Sequence, residues 1–116
     1  MSEFKVDDVA EQSFREGYLA RSKIDRRIKR IADYYGFTSQ ANIAIEECSE
    51  LIQAICKLRR GWDEDRYNNV KEEVADCIVI CEQLRYLLGK DVDCLVDEKL
   101  SRQIRRIKKE QANEKS

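Results

Sequence analysis

Two acidic motifs carry the chemistry of this chain: Glu46-Glu47-x-x-Glu50 and, some twenty residues later, Glu72-Glu73-x-x-Asp76. On a helix, residues three apart lie on one face, so each motif points a pair of carboxylates the same way. Two such pairs on neighbouring antiparallel helices make a cage of four oxygen-bearing groups, Glu47, Glu50, Glu73 and Asp76, that repel one another when empty. The chain has no histidine and no C-x-x-C pair. Hard oxygen donors without imidazole or paired thiolate select Mg²⁺, or Mn²⁺ in its place, over zinc. Magnesium seldom fills its shell from protein alone and shares it with water and substrate phosphates, so the expected ligand is a metal-chelated phosphate compound.

The placement of these acids sets them apart from ordinary surface charge. With about 100° per residue, Ile43, Leu51, Ala54 and Leu58 fall within roughly 40° of Glu47, and Glu50 lies about 60° to one side. Glu73 projects between Ile80 and Leu84, and Asp76 sits within about 40° of Ile80 and Leu87. An ionised carboxylate buried among such side chains is costly unless neutralised, paired or bound to metal. Glu46 and Glu72 fall on the outer sides of their helices and are expected to pair with Lys and Arg.

The elements that must position these groups read as helices. The 116 residues include no proline and four glycines, with 42% hydrophobic and 39% charged residues, the balance of an amphipathic all-helical domain. Residues 1–20 form an amino-terminal arm, 21–108 the helical domain and 109–116 a tail expected to fray. A first helix starts at Ser22 as N-cap, carries Ile24, Ile28, Ile31 and Tyr35, and stops at Gly36. Thr38 or Ser39 caps the long second helix, which gathers Lys57, Arg59 and Arg60 in its last turn and ends at Gly61. Asp63 or Asp65 caps a third, bearing Val70, Val74, Cys77, Ile80, Cys81, Leu84 and Leu88 before Gly89, and the short link predicts antiparallel packing. Asp91 or Asp93 opens a last helix through Leu95, Val96, Leu100, Ile104 and Ile107. Its opposite side carries Lys99, Arg102, Gln103 and Arg106, which alone reads as a solvated face.

Composition excludes several classes of function. A formal net charge of -1 offers no attraction to a nucleic acid polymer or an anionic membrane. The longest apolar run, Cys77 to Cys81, is far short of the roughly 20 residues that span a bilayer. The acidic start M-S-E-F-K-V-D-D lacks the apolar stretch of a secretory signal, which predicts a cytoplasmic protein. Five cysteines, at or beside apolar helical positions, predict buried reduced thiols in place of a disulfide framework. The second helix is apolar over about 220° of its circumference against a stripe of ~100° on a surface helix, which predicts a homo-oligomer.

E-E-C-S-E-L, then E-E-V-A-D, then V-D-E-K-L-S-R-Q-I-R-R in the last helix resemble the MazG-like all-alpha nucleotide pyrophosphohydrolases, whose mark is E-E-x-x-E followed by E-x-x-D. The resemblance covers about residues 38 to 107. It implies a four-helix bundle, dimeric or tetrameric, that uses Mg²⁺ to cut a nucleoside triphosphate into its monophosphate and pyrophosphate. Carried onto this chain, Glu47, Glu50, Glu73 and Asp76 are the metal ligands and Lys99 a phosphate contact. Gln103 stands where relatives usually place Asn. Combined with the face on the last helix, this assigns Lys99 and Arg106 to the outer phosphates, with Arg102 a weaker candidate. Glu50 or Glu46 orients the attacking water. Trp62, Phe37 and Tyr35 either stack on a nucleobase or, as is more usual, plug the ends of the bundle. Two alternatives stand beside this reading: a related activity on dUTP or phosphoribosyl-ATP, and a non-enzymatic helical interaction module.

Overall fold

A computed structural model describes residues 24–115; the expected amino-terminal arm and the cap at Ser22 lie outside them. Three helices follow one another: α1, Arg26–Arg60; α2, Glu64–Leu88; and α3, Asp91–Glu114. Among the described residues there is no strand.

Gly36, at φ 81° and ψ 169°, is non-helical, so α1 consists of two helical segments that meet at a kink where the sequence predicts a stop. That conformation is open to glycine and strained for any residue with a Cβ, so the chain turns there and the helix resumes. Thr38 does not cap the segment after the kink: its hydroxyl is buried without a hydrogen-bond partner. Asp25 is the observed N-cap, accepting from the Arg27 backbone N–H at 2.8 Å. Asp63 caps α2 by accepting from the Arg66 N–H at 2.7 Å, and Gly89, at φ 95°, closes it. Asp91 and Asp93 lie in the first turn of α3, where the helix dipole favours acid. That helix continues through Glu114, across residues 109–114 that composition predicts to fray.

α1 and α2 pack antiparallel and hold nearly all the interhelical contact. Their register can be followed by pairs: Gln40 donates to Gln83 at 2.6 Å, Cys77 reaches the Glu47 carbonyl, and Arg66 donates to the carbonyl of Gly61 at 2.8 Å at the turn. The core is thin. Ala32, Tyr86 and Leu87 form its buried centre, with Ile24 and Phe37 against them, while Ala54, Cys77 and Ile80 are buried further along the pair. Tyr86 also donates its hydroxyl to Asp33 at 2.9 Å, tying the arm before the kink to α2.

The four-helix bundle is therefore not formed. α3 touches α2 chiefly at their joint, where Arg85 pairs with Asp93, and every described residue from Cys94 onward is exposed. Among the described residues, its apolar stripe has no second surface to cover it. The radius of gyration, 18.1 Å, compares with about 13 Å for a compact domain of 100 residues. The cysteine expectation is corrected for the same reason. All five are free, but only Cys77 is buried; Cys48, Cys56, Cys81 and Cys94 are exposed among the described residues. No helix among the described residues is long and apolar enough to cross a membrane.

Candidate functional site

The site is built at the middle of the α1–α2 pair. Glu47 is a half-buried residue on α1, Glu73 a half-buried residue on α2, and Asp76, one turn beyond Glu73, is exposed. Antiparallel packing brings one carboxylate oxygen of each within 4.8 Å of the others. The i, i+3 step from Glu73 to Asp76 turns both toward α1, as the motif requires.

The electrostatics are those of an uncompensated acid cluster. Burial pushes the Glu47 carboxyl above its ordinary value, and the charges of Glu50, Asp76 and Glu46 push the same way. Glu73 is raised first by burial, then by Glu50, Asp76 and Glu47, with a hydrogen bond to Glu50 added. Glu47 Oε2 and Glu73 Oε2 are buried and have no hydrogen-bond partner. Among the described residues no ion pair reaches Glu47, Glu50, Glu73 or Asp76, although Lys and Arg elsewhere pair with Asp33, Asp63, Glu82 and Asp93. Two orphaned, desolvated oxygens with a third acid beside them match the donor set of a hard divalent cation.

Three of the four expected ligands thus converge. The fourth, Glu50, is exposed and lies outside the tight group, yet it is close enough for its charge to push the Glu73 carboxyl up. Glu46 is exposed next to the cluster and makes no ion pair, and the same holds for Glu72; neither has the Lys or Arg partner expected of it among the described residues.

The cationic residues are not brought to the carboxylates within the chain. Lys99, Arg102, Gln103 and Arg106 are all exposed on α3. Lys99 and Arg102, with Leu95, Glu98 and Arg105, line an open hollow of about 300 Å³ on that helix. The aromatic expectation divides: Phe37 packs into the core, whereas Tyr35 stands 55% exposed beside Tyr34 and Trp62 stands 71% exposed beside Tyr67.

One feature beside the cluster was missed from sequence. The Cys77 thiol donates to the Glu47 carbonyl at 3.3 Å, and burial pushes its pKa up. The available signal was adjacency, because Cys48 follows Glu47 and Cys77 follows Asp76 in the acidic motifs. No protein-family model, curated protein or solved structure matches the chain.

Proposed function

We propose that this chain is a Mg²⁺-dependent nucleoside triphosphate pyrophosphohydrolase, converting an NTP or dNTP to its monophosphate and pyrophosphate. The observation that carries the reading is the convergence of Glu47, Glu73 and Asp76, with two buried carboxylate oxygens left without any partner. Proteins rarely bury unpaired acids on two facing helices unless something outside the chain satisfies them.

In this reading Glu47, Glu73 and Asp76 hold Mg²⁺, with Mn²⁺ as a substitute, and Glu50 completes the set from the exposed side. When bound, such a cation offsets phosphate charge and acidifies coordinated water. Glu50 or Glu46 receives the proton of the water that attacks the α-phosphorus while pyrophosphate leaves. Glu50, which acts on both buried carboxylates where Glu46 acts on one, is the better placed. Lys99 and Arg106 neutralise the outer phosphates, with Arg102 and Gln103 beside them. Since α3 does not lie against the α1–α2 pair of its own chain, we assign these contacts to α3 of a second copy in a homo-oligomer, dimer or tetramer. The cytosol, where nucleoside triphosphates abound, is the setting this activity requires.

The exposed apolar stripe of α3, Leu95, Val96, Leu100, Ile104 and Ile107, also suits a helical interaction module without catalysis. One experiment separates the two. A panel of canonical and modified nucleoside triphosphates, with dUTP and phosphoribosyl-ATP as further arms, is assayed for pyrophosphate with Mg²⁺, and thermal unfolding is followed in parallel. An enzyme releases pyrophosphate from at least one of them and is stabilised by substrate with metal. Silence in both assays across the panel leaves the interaction module.

A further inference from the structure

The part of α1 before the kink carries a second feature, remote from the carboxylates. A hollow of about 590 Å³ lies against it, and Arg26, Lys29, Arg30, Asp33, Tyr34 and Tyr35 are among its lining. That volume is of the size that holds a small organic ligand. Arg26, Arg30 and Tyr34 follow one another at i, i+4 and i+8, so they share one side of the helix. Asp33, the one acid of the lining, is already engaged: it pairs with Lys29 at 2.8 Å and accepts from the Tyr86 hydroxyl at 2.9 Å. Arg26 and Arg30 are exposed and make no ion pair among the described residues. Two uncommitted guanidinium groups therefore face the hollow's mouth, and its other end is aromatic. Tyr34 is 80% exposed, and its ring meets the edge of Tyr35 with centroids 4.9 Å apart. Guanidinium groups bind phosphate through paired hydrogen bonds, and an exposed tyrosine ring stacks on a flat heterocycle.

We propose that this hollow is a nucleotide-binding site separate from the carboxylate cluster, in which Arg26 and Arg30 hold the phosphate and Tyr34, braced by Tyr35, stacks on the base. Tyr35 and Glu47 are twelve residues apart, about 18 Å along a helix, and the kink adjoins Tyr35 and so shortens that span little. One nucleotide does not reach from a base at the tyrosines to an α-phosphorus at the acids of the same chain. The site needs no metal, because the arginines supply the positive charge that the cluster lacks, and it stands whether or not the pyrophosphohydrolase reading does. A single nucleotide is favoured over a nucleic acid strand by the enclosed volume and by a net charge of -1, which draws no polyanion to the chain as a whole.

The test is calorimetric titration of the full chain with AMP in EDTA at low salt, conditions under which metal at the carboxylates plays no part. Saturable binding with a Kd below about 1 mM is expected. The double variant Arg26→Ala with Arg30→Ala weakens it about tenfold or more, and Tyr34→Ala does the same. All three side chains are exposed, so the variants keep the helical circular dichroism of the wild type. Adenosine and inorganic phosphate, each offering half of the contacts, bind about tenfold or more weakly than AMP. No saturable AMP binding, or equal affinity in the arginine double variant, would overturn the proposal. It is also refuted if inorganic phosphate binds as tightly as AMP, which leaves a bare anion site, or if a single-stranded oligonucleotide binds through the same residues about tenfold tighter than AMP, which assigns the surface to nucleic acid.

Discussion

Glu47 and Glu73 are acids that the fold makes reluctant to ionise. Their carboxyls are raised above the ordinary value of 4.5, mainly by burial and then by neighbouring acids. A raised acid binds its proton more tightly folded than unfolded, so it favours the native state at low pH. That contribution is fully present below 4.5 and is lost as pH rises through the raised folded value. Metal-free protein is therefore expected to become more thermally stable between neutral pH and 4.5. Glu47→Gln, which keeps the shape and removes the charge, should raise the metal-free unfolding temperature at neutral pH, with the gain shrinking as pH falls. The same variant should lose the stabilisation by Mg²⁺ and the release of pyrophosphate while its circular dichroism keeps the helical signal. Full activity in Glu47→Gln would remove the carboxylate cluster from the mechanism.

At the scale of elements, the pairing of α1 with α2 rests on a few specific contacts in a thin core. Gln40 and Gln83 are both buried and satisfy each other at 2.6 Å, which fixes how far one helix slides along the other and hence the level at which Glu47 meets Asp76. Gln40→Leu leaves the Gln83 amide buried and unpaired, a loss expected at about 1–3 kcal/mol in urea denaturation. Replacing both with Leu should recover much of that, since no orphan remains. At the kink, Gly36→Ala forces a Cβ into a conformation reserved for glycine and should cost about 1–3 kcal/mol in the same measurement. An unchanged urea midpoint in Gly36→Ala would mean that the bend in α1 is not required by the fold.

At the scale of the whole molecule, the described residues leave several apolar faces exposed. α3 exposes Leu95, Val96, Leu100, Ile104 and Ile107, and the α1–α2 pair exposes Ile45, Ile52 and Ile78 at 58% or more. Contiguous apolar faces of this kind mark interaction surfaces. Association of two copies would cover them and carry the basic side of α3 to another subunit's carboxylates. Gel filtration or analytical ultracentrifugation is expected to give a mass above that of one chain, and Leu100→Glu with Ile104→Glu should return it to one chain and lower pyrophosphate release by tenfold or more, about the effect of removing well-placed phosphate contacts. A wild-type mass equal to one chain would contradict the assignment of α3 to a second copy.

Helical character, helix ends and the acidic motifs were legible because they are local. Asp63 and Gly89 act through their own backbone neighbours, and the i, i+3 spacing that turns Glu73 and Asp76 the same way is a property of any helix. Periodicity likewise marked Ile80 and Ala54 as buried. Only packing could decide the rest, because register and helix direction depend on contacts between residues far apart in the chain. The mutual satisfaction of Gln40 and Gln83 has no sequence signature, and the contact of the Cys77 thiol with the Glu47 carbonyl is visible only once two helices lie side by side. The break at Gly36 was legible as a glycine stop, but that the two segments meet there at a kink, with no loop between them, was not. The last helix has the pattern of a bundle member, yet its apolar stripe says only that something must cover it, and among the described residues nothing does.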